Sequence, residues 1–172
     1  TDALLVKLGL IEPLRARLAE QGIVVTVYEG VLPDPRVEQI EEALVLLRRD
    51  GCQAVLAVGG GSAMDAAKVV AARATNDKAV LDMAGFFKVS NMPLPIYCIP
   101  TTAGTGSEVS VGAVVSDPVA QRKLPLIDHK LVPRMAALDG RLMTGLPRGG
   151  TAATGMDALT HAVEAYISRI AI

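Results

Sequence analysis

Apolar positions recur along the first half of the chain with two periods that alternate. "LIEPLRARLAEQG" places Ile11, Leu14 and Leu18 on one helical stripe, and Gly22 supplies the stop. The β-branched run "IVVTVY", Ile23 to Tyr28, has the length and residue types of a strand. "DPRVEQIEEALVLLRRDG" returns to helical spacing, with Asp34 as expected N-cap and Pro35 at the first helical position. Its buried stripe is Val37, Ile40, Leu44 and Leu47, and Gly51 follows the end. "QAVLAV", Gln53 to Val58, reads as a short buried strand, and "SAMDAAKVVAARA" as the helix after it. This α-β-α-β-α order with short loops predicts an α/β fold of parallel strands joined by right-handed crossovers. From Pro93 the pattern shortens: "LPIYCIP", "SVGAVVSD", "RKLPLID" and "MAALD" predict strands separated by Gly, Pro and Asp turns, with no helix between them. After Leu146 and Pro147, "TAATGMDALTHAVEAYISRIAI" predicts one apolar helix, so a domain boundary is expected near Pro147.

Composition narrows the class. A chain of 172 residues suits one domain with a proper core. It is 51% hydrophobic but only 3% aromatic, so the core is aliphatic, as buried parallel strands flanked by helices require. A net charge of −1 gives no general attraction for nucleic acid or an anionic membrane, and neither is expected as a partner. No apolar run reaches bilayer-spanning length, and with no basic-then-apolar segment at the start of the given sequence no signal peptide is expected there. Cys52 and Cys98 lie beside or inside apolar runs without CxxC spacing; buried reduced thiols in a cytoplasmic setting are expected. There is no initiator Met, and "TDALLVKLGL" already reads as the entry to a helix, so an upstream segment is expected to have been cut away. Oligomeric state stays open, and a homo-oligomer is compatible with the sequence.

Two loops carry candidate phosphate chemistry. "AVGGGSAMDAAK" joins a strand to a helix through Gly59, Gly60 and Gly61, where backbone can turn sharply and approach a ligand. The helix expected to begin at Ser62 directs free N–H groups and its positive dipole end at that turn, a fit for pyrophosphate. The plainer reading is a tight turn in which Ser62 and Asp65 form a capping-box-like start. "IPTTAGTGSEVS" concentrates Thr101, Thr102, Gly104, Thr105, Gly106 and Ser107 after another strand; as a bare loop it is a solvated connection. Both loops follow predicted parallel strands, at the sheet edge where open α/β folds bind nucleotides.

In "TGMDALTHAVEAY", Asp157 and His161 stand four residues apart, so their side chains share one helical face. They offer an oxygen and a nitrogen to a divalent ion, or simply a local Asp–His hydrogen bond. Two ligands do not make a tight catalytic site, which takes at least three. His129, in "LIDHKLVP", reads as an exposed turn and is not taken as a ligand.

Taken together, "GGGSAMDAAK", "PTTAGTGSE", "KLPLID" and "TAATGMDALTHAVEAY" resemble the iron-containing (group III) alcohol dehydrogenases, of the dehydroquinate-synthase-like fold. Glycerol dehydrogenase and maleylacetate reductase belong to the same group. The motifs stand in the family's order and spacing and cover essentially the whole chain, as its N-terminal part. The resemblance implies a Rossmann-like NAD-binding α/β domain over residues 1–147, its first strand missing. Residues 148–172 would then start an all-helical metal-binding domain that is otherwise absent. It implies that Gly60, Gly61 and Ser62 bind the pyrophosphate, with Asp65 directed toward the nicotinamide. Thr101 and Thr102 would line the adenine and phosphate side, and Ser110 and Gly112 the nicotinamide ribose. Lys123 would bond a ribose hydroxyl, and Leu142 and Gly145 would close over the adenosine half. Asp34 stands where the family commonly has Asn near the adenosine, keeping an oxygen acceptor and losing the amide donor. Asp2 matches the acidic residue after the first strand, which accepts from the ribose hydroxyls and repels a 2′-phosphate; NAD is expected over NADP. Asp157 and His161 match two of four ligands to Fe2+, with Zn2+ as the alternative. The other two would be histidines that no residue here supplies.

The implied reaction is reversible hydride transfer between a primary or secondary alcohol and NAD, with the metal as Lewis acid on the alcohol oxygen. No side chain reads as a general acid or base, so no catalytic residue is named beyond the metal ligands. The chain as given is expected to show little or no activity of its own. Two rivals remain: a non-enzymatic nucleotide-binding module whose last helix docks a partner chain, and a phosphotransferase.

Overall fold

A computed structural model describes residues 1–169. Two short N-terminal helices, α1 (Ala3–Lys7) and α2 (Ile11–Glu20), are followed by α3 (Val37–Arg49) and the strand β1 (Val55–Gly59). The long helix α4 (Gly61–Thr75) comes next, then α5 (Val80–Met83) and a two-residue strand β2 (Gly85–Phe86). Strands β3 (Ile96–Pro100), β4 (Gly112–Asp117), β5 (Arg122–Ile127) and β6 (Met135–Ala136) precede the final helix α6 (Arg148–Ile167).

The strands form two sheets. One is all parallel, in the order β1-β3-β6, with Ala57 opposite Cys98 and Cys98 opposite Ala136. The other runs β2-β5-β4, with β4 and β5 an antiparallel hairpin and β2 parallel to β5. Helix α4 lies between them. Met64, Ala67 and Ala71 join Ala57, Ile96 and Cys98 in one core, while Ala66, Val69, Val70 and Ala72 join Ile40, Val115, Leu126 and Leu131 in the other. A helix apolar all round is a buried helix, and the run of alanines lets both layers come close. A third, smaller core of Leu5, Ile11 and Val58 seats the N-terminal helices beside β1.

The helical stripes of α2 and α3 fall where the periodicity puts them, with Ile11, Ile40 and Leu44 buried. Four expectations do not hold. Ile23 to Tyr28 makes no ladder: strand formation needs a neighbouring strand, and among the described residues none runs beside it, though the Thr1 amino group donates to the Tyr28 carbonyl at 3.1 Å, and Val24 is left 94% exposed. Asp34 does not cap α3; it sits at φ +55° in the preceding turn, and the helix starts at Val37, where the Gln39 side chain accepts from the Arg36 N–H at 3.0 Å. Helix α4 begins at Gly61 with Gly60 as N-cap, so Ser62 lies inside the first turn and forms no capping box. The final helix starts at Arg148, before the expected Thr151, and ends at Ile167: Ser168 is extended, so the expected helix does not continue over 168 and 169, and its last positions, 170–172, lie outside the described residues.

Candidate functional site

Strands β1 and β3 run parallel, so both end at the same sheet edge, and the loops that leave them meet there. The Thr101 N–H continues the ladder by donating to the Gly59 carbonyl at 2.9 Å. Beyond that point the two segments interlock. A Cβ on Gly60 would lie 3.2 Å from Thr102 Oγ1, and one on Gly61 would lie 2.8 Å from Thr105 Cγ2. Glycine at these positions is what lets the threonine loop cross the start of α4.

Gly59 is constrained by backbone conformation and by packing together. Its φ is +151°, and a Cβ there would lie 2.6 Å from the Ala63 Cβ. The Asp2 carboxylate reaches the same turn. Its Oδ1 accepts from the Leu5 N–H at 3.0 Å as the cap of α1, while its Oδ2 lies toward Gly59.

The arrangement fits a phosphate on two counts. Among the described residues no side chain caps α4, and its first backbone bonds run from Ala63 and Met64 to the Gly60 carbonyl, leaving the Gly61 and Ser62 N–H groups outside the helical ladder. Beside them, Thr102 Oγ1 is buried with no hydrogen-bond partner among the described residues. An unpaired buried hydroxyl costs on the order of 1–3 kcal/mol, so this one is poised for an acceptor or donor that a ligand supplies.

The far side of the loop is tied to α4. Asp65 accepts from Ser107 Oγ at 2.5 Å and from the Val114 N–H at 2.9 Å, which engages both of its oxygens. Burial raises its pKa, against those bonds and the nearby Lys68 charge. Lys68, fully buried, donates to the Ser110 carbonyl, the Ser110 hydroxyl and the Gly112 carbonyl at 2.9, 3.1 and 2.7 Å. Ser110 and Gly112 are thus brought to α4 by a residue that sequence reasoning passes over. The signal available was a lysine inside an otherwise apolar helical run, three residues after Asp65.

Asp34 and Lys123, 89 positions apart, form an exposed ion pair of 2.5 Å between the turn before α3 and strand β5. Leu142 is half-buried in a 3-10 turn at Gly140–Met143, and Gly145 is exposed just after it, on the connection from β6 to α6.

Helix α6 has no buried residue, but Gly150, Thr154 and Asp157, at successive turns, are its half-buried positions. That stripe faces the threonine loop: any side chain at Gly104 would collide with the Thr154 carbonyl. Asp157 therefore sits one turn beyond the point where α6 meets the loop. Its Oδ1 lies 3.7 Å from His161 Nε2, with the side chains 41% and 56% exposed. The donor types suit iron or zinc, but no group of three or more His, Cys, Asp or Glu side chains gathers among the described residues. The pair meets the chemistry and not the ligand count. His129 is exposed and stacks on Phe87, ring centroids 5.6 Å apart.

A family model described as iron-containing alcohol dehydrogenase matches residues 1–140. Alcohol dehydrogenase 4 of Schizosaccharomyces pombe is 43% identical over 171 residues, 99% of this chain and 40% of its own. The NAD-dependent methanol dehydrogenase of Bacillus methanolicus is 40% identical over 98% of this chain and 44% of its own. Among solved structures, a 1,3-propanediol oxidoreductase superposes with a TM-score of 0.95 at 38% identity, covering 99% of this chain and 45% of that one. A sulfoacetaldehyde reductase from Bifidobacterium kashiwanohense in complex with NAD+ matches with a TM-score of 0.88 at 36% identity, over 98% and 44%. The chain spans about 40–45% of the length of the curated relatives it matches.

Proposed function

Because the chain belongs to the iron-containing alcohol dehydrogenase family, we propose that residues 1–147 form the NAD-binding part of an alcohol dehydrogenase, and residues 148–172 the start of its metal-binding part. The observation that carries this is the meeting of the glycine turn with the threonine loop: uncapped N–H groups at Gly61 and Ser62 beside the unpartnered Thr102 hydroxyl. Gly60, Gly61, Ser62 and Thr102 would hold the pyrophosphate, and Thr101, at the end of the β1–β3 ladder, would back that side. Ser110 and Gly112 would face the nicotinamide ribose, with Asp65 behind them. Lys123 and Asp34 would meet the adenosine half, and Leu142 and Gly145 would cover it. The second oxygen of Asp2, lying toward Gly59, would accept from ribose hydroxyls and disfavour a 2′-phosphate.

NAD, when bound, would supply the hydride acceptor, and Fe2+ or Zn2+ would supply Lewis acidity toward the alcohol oxygen. This chain's own contribution is to bind and orient. The threonine loop would pin one reactant over α4, and the contact of Thr154 with that loop sets Asp157 one turn beyond it, with His161 a further turn along α6. They would give the metal one oxygen and one nitrogen; turnover needs further donors beyond these two. The substrate is a small alcohol or aldehyde.

Calorimetric titration with NADH, NADPH and ATP tests the reading. NADH is expected to bind more tightly than NADPH, with that preference lost in Asp2→Gly. ATP binding without NADH binding would favour a phosphotransferase, and binding of neither nucleotide would refute the assignment.

A further inference from the structure

Lys68 stands out as a lysine with no exposed surface on a helix whose other buried residues are all Ala, Val or Met. Desolvating an ammonium is expensive, and a methionine would fill similar space without that cost. Its three protons match the three acceptors, the Ser110 carbonyl, the Ser110 hydroxyl and the Gly112 carbonyl. One turn earlier, Asp65 takes the Ser107 hydroxyl and the Val114 N–H. The stretch from Ser107 to Val114 is thus gripped at four points by two side chains on one face of α4. The same stretch continues the loop whose Thr102 and Thr105 close over Gly60 and Gly61.

We propose that Lys68 is a positioning residue for the dinucleotide site: it fixes the Ser110–Gly112 backbone against α4 and so sets where the loop's return presents its groups to the half of the dinucleotide beyond the pyrophosphate. Burial pushes the Lys68 pKa down and the Asp65 pKa up, and each charge eases the other, as a mutually dependent pair requires. The inference rests on the nucleotide reading above, and its test separates the two. In the full chain, Lys68→Met is compared with the parent by amide hydrogen exchange and by titration with NADH and with ADP, which lacks the nicotinamide half.

Exchange at Ser110 to Val114 should rise by about tenfold or more while Ala57, Val58 and Val69 to Ala72 stay within about twofold. NADH affinity should fall about tenfold, with ADP affinity held within about twofold. A rise in exchange throughout α4 and β1 with equal loss of both ligands would reduce Lys68 to ordinary core packing and overturn the proposal; so would unchanged exchange at Ser110 to Val114. If the parent binds neither ligand, the nucleotide reading fails, and exchange alone still decides whether Lys68 holds the segment. Should Lys68→Met not fold, Ser110→Ala removes one of the three acceptors at a half-buried position. It should raise exchange in the same segment only, and no rise there would overturn the proposal.

Discussion

At Gly59, backbone and packing make the same demand. An alanine there would take up a φ of +151°, which L-residues rarely adopt, and press its Cβ to 2.6 Å from that of Ala63. Gly59→Ala should cost about 2–3 kcal/mol in urea denaturation. Adding Ala63→Gly should recover only the part owed to the clash, because the backbone strain stays. Cys98, on β3 beneath α4, gives a pH signature. Burial pushes its thiol from 9.0 up to about 11, against the nearby Lys68 charge. The folded pKa lies above the unfolded one, so the stability is intact below pH 9 and is lost as pH rises through the window to about 11. By pH 10 this one group accounts for about 1.4 kcal/mol. Between pH 8.5 and 10.5, Cys98→Ala should therefore lose stability less steeply than the parent; parallel curves would refute the assignment.

At the scale of elements, α4 is tied at both ends. Its C-terminal neighbour Asn76 is buried, donates to the Ala72 and Asn91 carbonyls at 2.8 and 3.2 Å, and accepts from the Asn91 N–H at 2.7 Å. Asn76→Ala should lower stability by about 2–3 kcal/mol and speed exchange of the Asn91 amide, since both partners are left without it. The apolar stripes of α2 and α3 and the runs that became β1, β3, β4 and β5 were legible because burial imposes a period on sequence. Ile23 to Tyr28 was not, because β-branched composition reports side-chain preference while a ladder needs a second backbone. The Asp-Pro signal at 34–35 misleads for a local reason: Asp34 adopts a left-handed turn that brings it to Lys123, and Gln39 caps the helix from within. Lys68 was illegible because a charged residue in a helix is normally a surface residue, and only the packed fold shows three carbonyl and hydroxyl oxygens waiting for it.

Across the whole molecule, the central helix organises both stability and site. It is the wall shared by the two sheets, its N-terminus is the candidate anion seat, and its middle holds the loop that covers that seat. Helix α6 lies outside this arrangement, with Met156, Leu159, Val163 and Tyr166 exposed. It touches the body where Thr154 meets Gly104. On the proposed reading the nucleotide would bind the body, and only the metal pair would lie on α6. An amide-resolved NMR titration of the chain with NADH tests this most directly. The largest shift changes are predicted at Gly60, Gly61, Ser62 and Thr102, with smaller ones at Ser110 and Gly112. Changes confined to α6, or to the groove of about 400 Å3 lined by Val6, Ile11, Glu12, Arg15, Val27 and Glu29, with the glycine turn silent, would contradict it.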